Sequence, residues 1–136
     1  MTKIHSDNEW DPLKEVVIGT ADYANWPRSD AVFAESIANS SWRETRLELG
    51  PVAQEIIDRA NAGLDEFAKT LIDLGVTVHR PQTRNYAALD QFYGYCPRDT
   101  VLIVGSHIIR TPTKYPSRRS EWETLQHTWG NHTVVQ

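Results

Sequence analysis

Cys96, Arg98 and Asp99 fall within four consecutive residues of the stretch "YCPRDT". A thiol beside a guanidinium and a carboxylate raises nucleophilic chemistry. Cys96 would then have to ionise, which takes a nearby base or cation, and a donor pair would have to await the oxyanion. The chain offers Arg98 and histidines at 5, 79, 107, 127 and 132. Nothing in their spacing ties any of them to Cys96, so a structural or incidental thiol is the favoured reading. Asp99 has two readings. It binds a cation or guanidinium, or it is a turn residue that hydrogen-bonds its own backbone ahead of a strand; the turn is favoured. His127 and His132 lie five apart with no third ligand at useful spacing, so no metal is expected. No glycine-rich phosphate loop occurs, and no cofactor is expected. Trp10, Trp122 and Trp129 read most simply as core or interface anchors.

The elements around these residues follow from periodicity. "EVVIG", residues 15–19, is a short β-branched run bounded by Pro12 and Gly19 and reads as a buried strand. Ser29 or Asp30 can cap a short helix carrying Val32, Phe33 and Ile37, whereas "SSWRETRLELG" reads as irregular or partly helical. From Pro51 to Leu74, Val52, Ile56, Ala60, Leu64, Phe67, Leu71 and Leu74 recur at steps of three or four. They predict one long helix with a single core-facing stripe. Pro51 suits its first turn and Gly75 its C-terminal cap. "VTVHRP" is then a strand stopped by Pro81. Residues 82–98 form a long polar and aromatic loop whose Tyr86, Phe92, Tyr93 and Tyr95 argue for order. "TVLIV" and "HIIRT" are strands joined at Gly105-Ser106, a hairpin signal. "SRRSEWETLQHTW" reads as a second helix with Trp122, Leu125 and Trp129 on one face. The expected fold is α/β (α+β): a small mixed β-sheet with helices on one face.

Composition narrows the classes. The 136 residues suffice for one domain, residues 1–136, with a modest core. Apolar content of 40% against 24% charged fits a globular chain rather than a disordered one. No apolar run approaches bilayer thickness. The N-terminus lacks a signal-peptide core, and one cysteine cannot form an internal disulfide, so a cytoplasmic protein is expected. A net charge of −4 argues against nucleic acid or membrane as partner. Arg110, Lys114, Arg118 and Arg119 form a local basic cluster, read as a solvated loop and helix end rather than a phosphate site.

Three blocks then carry a resemblance: "NEWDPLKEVVIG" (Asn8 to Gly19), "GVTVHRP" (Gly75 to Pro81) and "PRDTVLIVGSHIIRTP" (Pro97 to Pro112). With the Arg118, Glu121, Trp122 pattern of "SRRSEW", they resemble the glycine/arginine amidinotransferase family, whose members move an amidino group from arginine to an acceptor amine. The blocks stand in the family's order over residues 8 to about 122. The resemblance covers the family's N-terminal part. It implies one ββαβ-type module of a five-bladed propeller with its site at the centre. It also implies a cysteine nucleophile, a histidine and an acid that lie beyond the end of this chain. Asp99 matches the family aspartate that lines the substrate pocket and helps hold the guanidinium. A carboxylate suits that task because it accepts two parallel N–H bonds from a planar guanidinium. Arg98 matches too, without an assigned role.

The resemblance sets the functional expectations. The first is a catalytically incomplete, stand-alone amidinotransferase-like protein that acts by protein binding or oligomerisation, for instance as a phage-type modulator of a host protein. The initial Met and the lack of a tag read as a complete short gene. The second is an amidinotransferase completed by oligomerisation or by another chain, and the third a truncated gene product without a role. Expected partners are a second copy or another protein, with Trp122 and Trp129 as interface candidates, and more weakly a guanidino compound such as arginine.

Overall fold

Residues 4–41, 47–129 and 132–135 are described by a computed structural model. Strand β1 is Glu15–Val17, β2 is Asn25–Trp26, helix α1 is Ala31–Ala38, and β3 is Gly50–Pro51. Helix α2, Gln54–Asp73, leads into β4, Thr77–His79. Strands β5 and β6, Val101–Val104 and His107–Arg110, precede the short helix α3, Gln126–Trp129, and strand β7, Val134–Val135. The result is a mixed α/β fold. Among the described residues the strands fall into three small sheets: β1 parallel to β4, β2 antiparallel to β3, and β5-β6-β7. The four strands legible in the sequence all form, but they divide between two sheets instead of sharing one. The two-residue strands β2, β3 and β7 are too short to leave a periodic signal.

The α2–β4 unit is built as its sequence dictates. Gly75 takes φ +86° and donates to Ile72 O, while Val76 N donates to Leu71 O. This pair of bonds closes the last turn and needs a residue free to adopt left-handed backbone. The chain then turns directly into β4, whose residues pair with β1 in the register Glu15 with Thr77. Pro51, expected in the first helical turn, belongs instead to β3, because Val52 N bonds Ala24 O and the helix starts only at Gln54.

The face that α2 buries differs from the predicted stripe. Ile57 and Ala68 are buried, with Asn61, Leu64 and Leu71 partly covered beside them. Asn61 sits among these apolar neighbours because its side chain accepts from Ala21 N at 2.8 Å and donates to Asp22 at 2.7 Å. Ile56, Phe67 and Leu74 remain 45%, 52% and 75% exposed. The apolar residues of α2 span an arc wider than one neighbour can cover. Periodicity located the arc but not the part of it that packs.

Two clusters fill the interior. Ala21, Ala24 and Ile57 pack with Val52 and Tyr93, and Ile108, Leu125 and Trp129 pack with Ile4, Val17, Val101, Ile103, Trp122 and Val134. An aromatic group of Trp26, Phe33, Phe92, Tyr93 and Tyr115 packs between α1 and the long loop, with Trp26 stacked on Phe33 and the other contacts mostly edge to face. Tyr86 and Phe92 are 1% and 2% exposed, so the aromatic loop is ordered as its composition implies. Among the described residues, no helix is long and apolar enough to cross a membrane.

The second expected helix is not continuous. Pro116–Arg118 and Glu121–Leu125 are 3₁₀ turns, and only Gln126–Trp129 is α-helical. Three residues per turn place Trp122 and Leu125 directly above one another, while Arg118 closes the first turn and Glu121 opens the second, which brings the two side chains into contact.

Candidate functional site

The loop from Tyr93 to Thr100 is fixed at both ends. Gly94 O accepts from Thr20 N at 3.2 Å. A Cβ at Gly94 would stand 2.6 Å from the Tyr86 hydroxyl, so only glycine fits there. Pro97 opens a 3₁₀ turn over Pro97–Asp99, with Asp99 N donating to Cys96 O and Thr100 N to Pro97 O. The Thr111 hydroxyl, just past β6, donates to Asp99 O at 2.6 Å. The Asp99 backbone is thereby bonded on both sides before the chain enters β5.

Arg118 approaches this turn from beneath. Its Nε and one terminal nitrogen donate to the two Glu121 oxygens, each at 2.8 Å. Its other terminal nitrogen donates to Asp99 Oδ2, also at 2.8 Å. The guanidinium lies 5.1 Å from the Tyr93 ring centre. The Arg118 and Glu121 side chains are 9% and 4% exposed, whereas that of Asp99 is 51% exposed. Burial pulls Arg118 toward losing its proton, but the bonds to Glu121 and Asp99 outweigh it and hold the guanidinium more firmly protonated than usual. Burial pushes the Glu121 carboxyl up, with Arg118 acting against it. The Tyr93 phenol is also pushed up by burial and by Tyr95, so it stays neutral.

Asp99 therefore meets a guanidinium, and it is the chain's own. Its Oδ1 carries no hydrogen bond among the described residues. Beside the turn, a cavity of about 10 Å³ is lined by Gly94, Pro97, Thr100, Glu121, Thr124 and Leu125. It can take about one water molecule. The Asp99 carboxylate thus stands on a half-exposed wall rather than in a pocket that encloses an arginine-sized ligand.

Cys96 is partly buried, and burial together with Asp99 pushes its thiol up, against weaker pulls from Arg118 and Tyr95. None of these neighbours is a base suited to take its proton at neutral pH. The described histidines are engaged elsewhere where they bond at all: His5 with Asp7, His79 with Glu15, His132 with Trp129 O. Among the described residues no three His, Cys, Asp or Glu side chains group as for a metal ion. Arg98 pairs with Glu9 on the exposed side of the loop.

The basic cluster disperses. Arg110 lies over the Trp122 ring at 5.7 Å, Lys114 bonds the Ser36 hydroxyl, and Arg118 turns inward. Trp129, expected as an interface anchor, is 6% exposed and packs in this chain's own core, because α3 folds it against Ile108 and Leu125. Trp122 lines the same cluster but is only partly buried. The Arg118–Glu121 pair carried a sequence signal, an i,i+3 charge pair, but nothing local placed it beneath Asp99.

The chain has relatives among amidinotransferases. The chain is 39% identical over 127 residues to inosamine-phosphate amidinotransferase 1 of Streptomyces griseus, which covers 87% of this chain and 37% of that protein. It is 35% identical over 125 residues to the L-arginine:L-lysine amidinotransferase of Pseudomonas savastanoi pv. phaseolicola, covering 85% of this chain and 34% of that protein. Among solved structures, an inosamine-phosphate amidinotransferase from Streptomyces griseus superposes with a TM-score of 0.80 at 33% identity, over 98% of this chain and 42% of that one. The chain spans just over a third of the length of the curated relatives it matches. No family model matches it.

Proposed function

We propose, from the premise that this chain is a partial member of the amidinotransferase family, that it carries the guanidinium-binding wall of such a site and works by binding, without performing amidino transfer alone. The observation that carries this reading is Asp99. Its carboxylate is half-exposed, pinned through Oδ2 by a buried guanidinium, and still has Oδ1 open to a ligand donor. The backbone bonds from Thr111 and within the 3₁₀ turn hold it before a ligand arrives, so little ordering is needed on binding. A planar guanidino group such as that of arginine suits such a carboxylate.

Transfer of an amidino group requires a nucleophile, and Cys96 is poorly placed to be one. Its thiol is harder to ionise than usual, and no base stands against it. In this reading the nucleophile, its base and the facing wall are not among these 136 residues and are supplied from elsewhere.

Titration with arginine by calorimetry or heteronuclear NMR tests the binding. Expected is weak binding centred on the Asp99 loop that falls at least tenfold in Asp99→Asn, with lysine, which lacks the planar fork, binding less well than arginine. Equal binding to wild type and Asp99→Asn sinks the reading. An ornithine-release assay tests the second half. No turnover is expected from the purified chain, and turnover abolished by Cys96→Ser would make Cys96 the nucleophile.

A further inference from the structure

Helix α1 meets the segment that carries Arg118 at three successive points. At its start, Asp30 Oδ2 accepts from Ser117 N at 3.0 Å and from the Ser117 hydroxyl. Three residues on, the Phe33 ring packs edge to face on Tyr115, with centres 5.7 Å apart. Three residues further, the Ser36 hydroxyl accepts from Lys114 Nζ at 2.7 Å. The residues met, 117, 115 and 114, run opposite in order to 30, 33 and 36, so α1 lies antiparallel along the stretch leading into Arg118.

Asp30 is the member that its chemistry singles out. It is 5% exposed, and its bonds come from N–H and O–H donors rather than from a cation. Capping α1 does not need a carboxylate. Its Oδ1 accepts from Phe33 N at 3.0 Å, which a serine or asparagine cap also does. The second oxygen is what those caps lack, and it goes to a residue 87 positions away in the chain. Burying a charge is unfavourable unless its bonding capacity is filled. Ser117 fills it with both its N–H and its hydroxyl.

Ser117 immediately precedes Arg118 in the 3₁₀ turn Pro116–Arg118, and Arg118 donates to Asp99 Oδ2. The far side of this segment is gripped after Arg118: Arg84 donates to Ser120 O at 2.6 Å and Gln91 to the Ser120 hydroxyl at 2.9 Å. Glu121 aims the guanidinium through two bonds. Before Arg118, the side-chain bonds to the segment come from α1. Asp30 therefore fixes the backbone from which the Arg118 side chain reaches Asp99.

We infer that Asp30 is a positioning residue for the Asp99 carboxylate, acting through Ser117 and Arg118, an inference that rests on the guanidinium-binding reading above. Asp30 touches no ligand itself. Without its second oxygen, Ser117 is released, the origin of the Arg118 side chain shifts, and Asp99 Oδ1 loses its fixed direction.

Asp30→Ser keeps a cap for α1 and drops the second oxygen. In NMR spectra of the ligand-free full chain, the Arg118 Nε–H and Asp99 carboxyl signals should both move, while the α1 backbone signals stay helical. Ser117→Ala, which removes only the hydroxyl donor, is the milder variant and should move the same two signals less far. On titration with arginine, Asp30→Ser should bind about fivefold more weakly than wild type. Its preference for arginine over lysine should narrow, because a misdirected carboxylate loses the two-bond fork yet still attracts a cation. Leu71→Ala, on α2, is the control: it should lower the melting temperature and leave both signals and the arginine preference unchanged. Arg118 and Asp99 signals that stay at their wild-type positions in both Asp30→Ser and Ser117→Ala overturn the inference. So does a Leu71→Ala variant that loses the arginine preference as fully as Asp30→Ser. A wild-type chain that binds no arginine sinks the guanidinium reading instead, and the ligand-free spectra still decide whether Asp30 positions Asp99.

Discussion

Asp90 and Asp99 lie nine residues apart in the same loop system, and the fold treats them differently. Asp90 accepts from Arg28 N at 2.9 Å, from Ser29 N at 2.8 Å and from the Ser29 hydroxyl, with the fully buried Asn25 amide close by. Those bonds pull its carboxyl from 3.8 down to about 2, with Ser29 and then Arg28 the main contributors. Both oxygens are used, and the residue ties the start of α1 to the aromatic loop. Asp30 belongs to the same class. One oxygen caps Phe33 N, and the other takes Ser117 N and the Ser117 hydroxyl. Burial opposes its ionisation, yet the Ser117 bonds hold its carboxyl below the usual range. Asp99 accepts one side-chain bond, from Arg118, and keeps the rest of its capacity facing solvent. A carboxylate saturated by the chain's own donors is structural. One that is positioned but unsaturated has capacity left for a ligand.

Changes beneath Asp99 should have the largest effect. Arg118→Met removes the only ion-pair partner that Glu121 has among the described residues, and the Glu121 side chain is 4% exposed. Leaving a buried charge unpaired costs about 3–5 kcal/mol, a drop in melting temperature of more than about 10 °C for a chain of this size. Adding Glu121→Leu should return much of that loss. A single variant that melts within about 3 °C of wild type would show that the pair is not buried as described.

Next is the contrast along α2. Leu64→Asp places a carboxylate on the inward side and should cost about 2–3 kcal/mol by denaturant titration, whereas Phe67→Asp, on a half-exposed side chain, should cost under about 1 kcal/mol. Equal losses would mean that the Phe67 side also faces a core.

Asp90→Asn should cost about 2 kcal/mol, because an amide cannot accept from all the donors that Asp90 serves. The pH profile separates this role from that of Asp99. The Asp90 carboxyl titrates lower in the folded chain than in the unfolded one, so its contribution is complete above about pH 4. It is lost as pH falls through 3.8 toward about 2. Acid unfolding of Asp90→Asn should be correspondingly shallower, and an unchanged acid limb would contradict the assignment. Asp99→Asn should be the mildest, under about 1 kcal/mol, since its pair with Arg118 is half-exposed. A large loss of stability there would make Asp99 a structural residue like Asp90.

Much of this was legible in the chain itself. The β-branched run at Glu15–Val17, the α2–Gly75–β4 unit and the hairpin at Gly105-Ser106 rest on local rules of periodicity, left-handed caps and tight turns, and each formed, although the first strand is exposed to half-buried rather than buried and α2 starts at Gln54 rather than Pro51. The same holds for the ordered aromatic loop and for the capping of α1 by Asp30. Asp99 is singled out only by a resemblance of motifs, and the structure adds its exposure and its partner.

Other features have no local code. Which flank of α2 packs inward depended on the loop Ala21–Ala24 arriving beside Ile57 and Asn61. Whether Trp129 faced a partner or the core depended on where α3 met β6. The division of labour between Asp90 and Asp99 depended on Arg28 and Ser29, more than sixty residues from Asp90, and on Arg118, nineteen residues from Asp99. The sequence determined which residues carry charge, which can cap or turn, and roughly where the longest helix and the longer strands lie, because those properties belong to neighbours along the chain. Only the tertiary structure decided which carboxylate is used up and which is left open, because that depends on donors brought from distant segments.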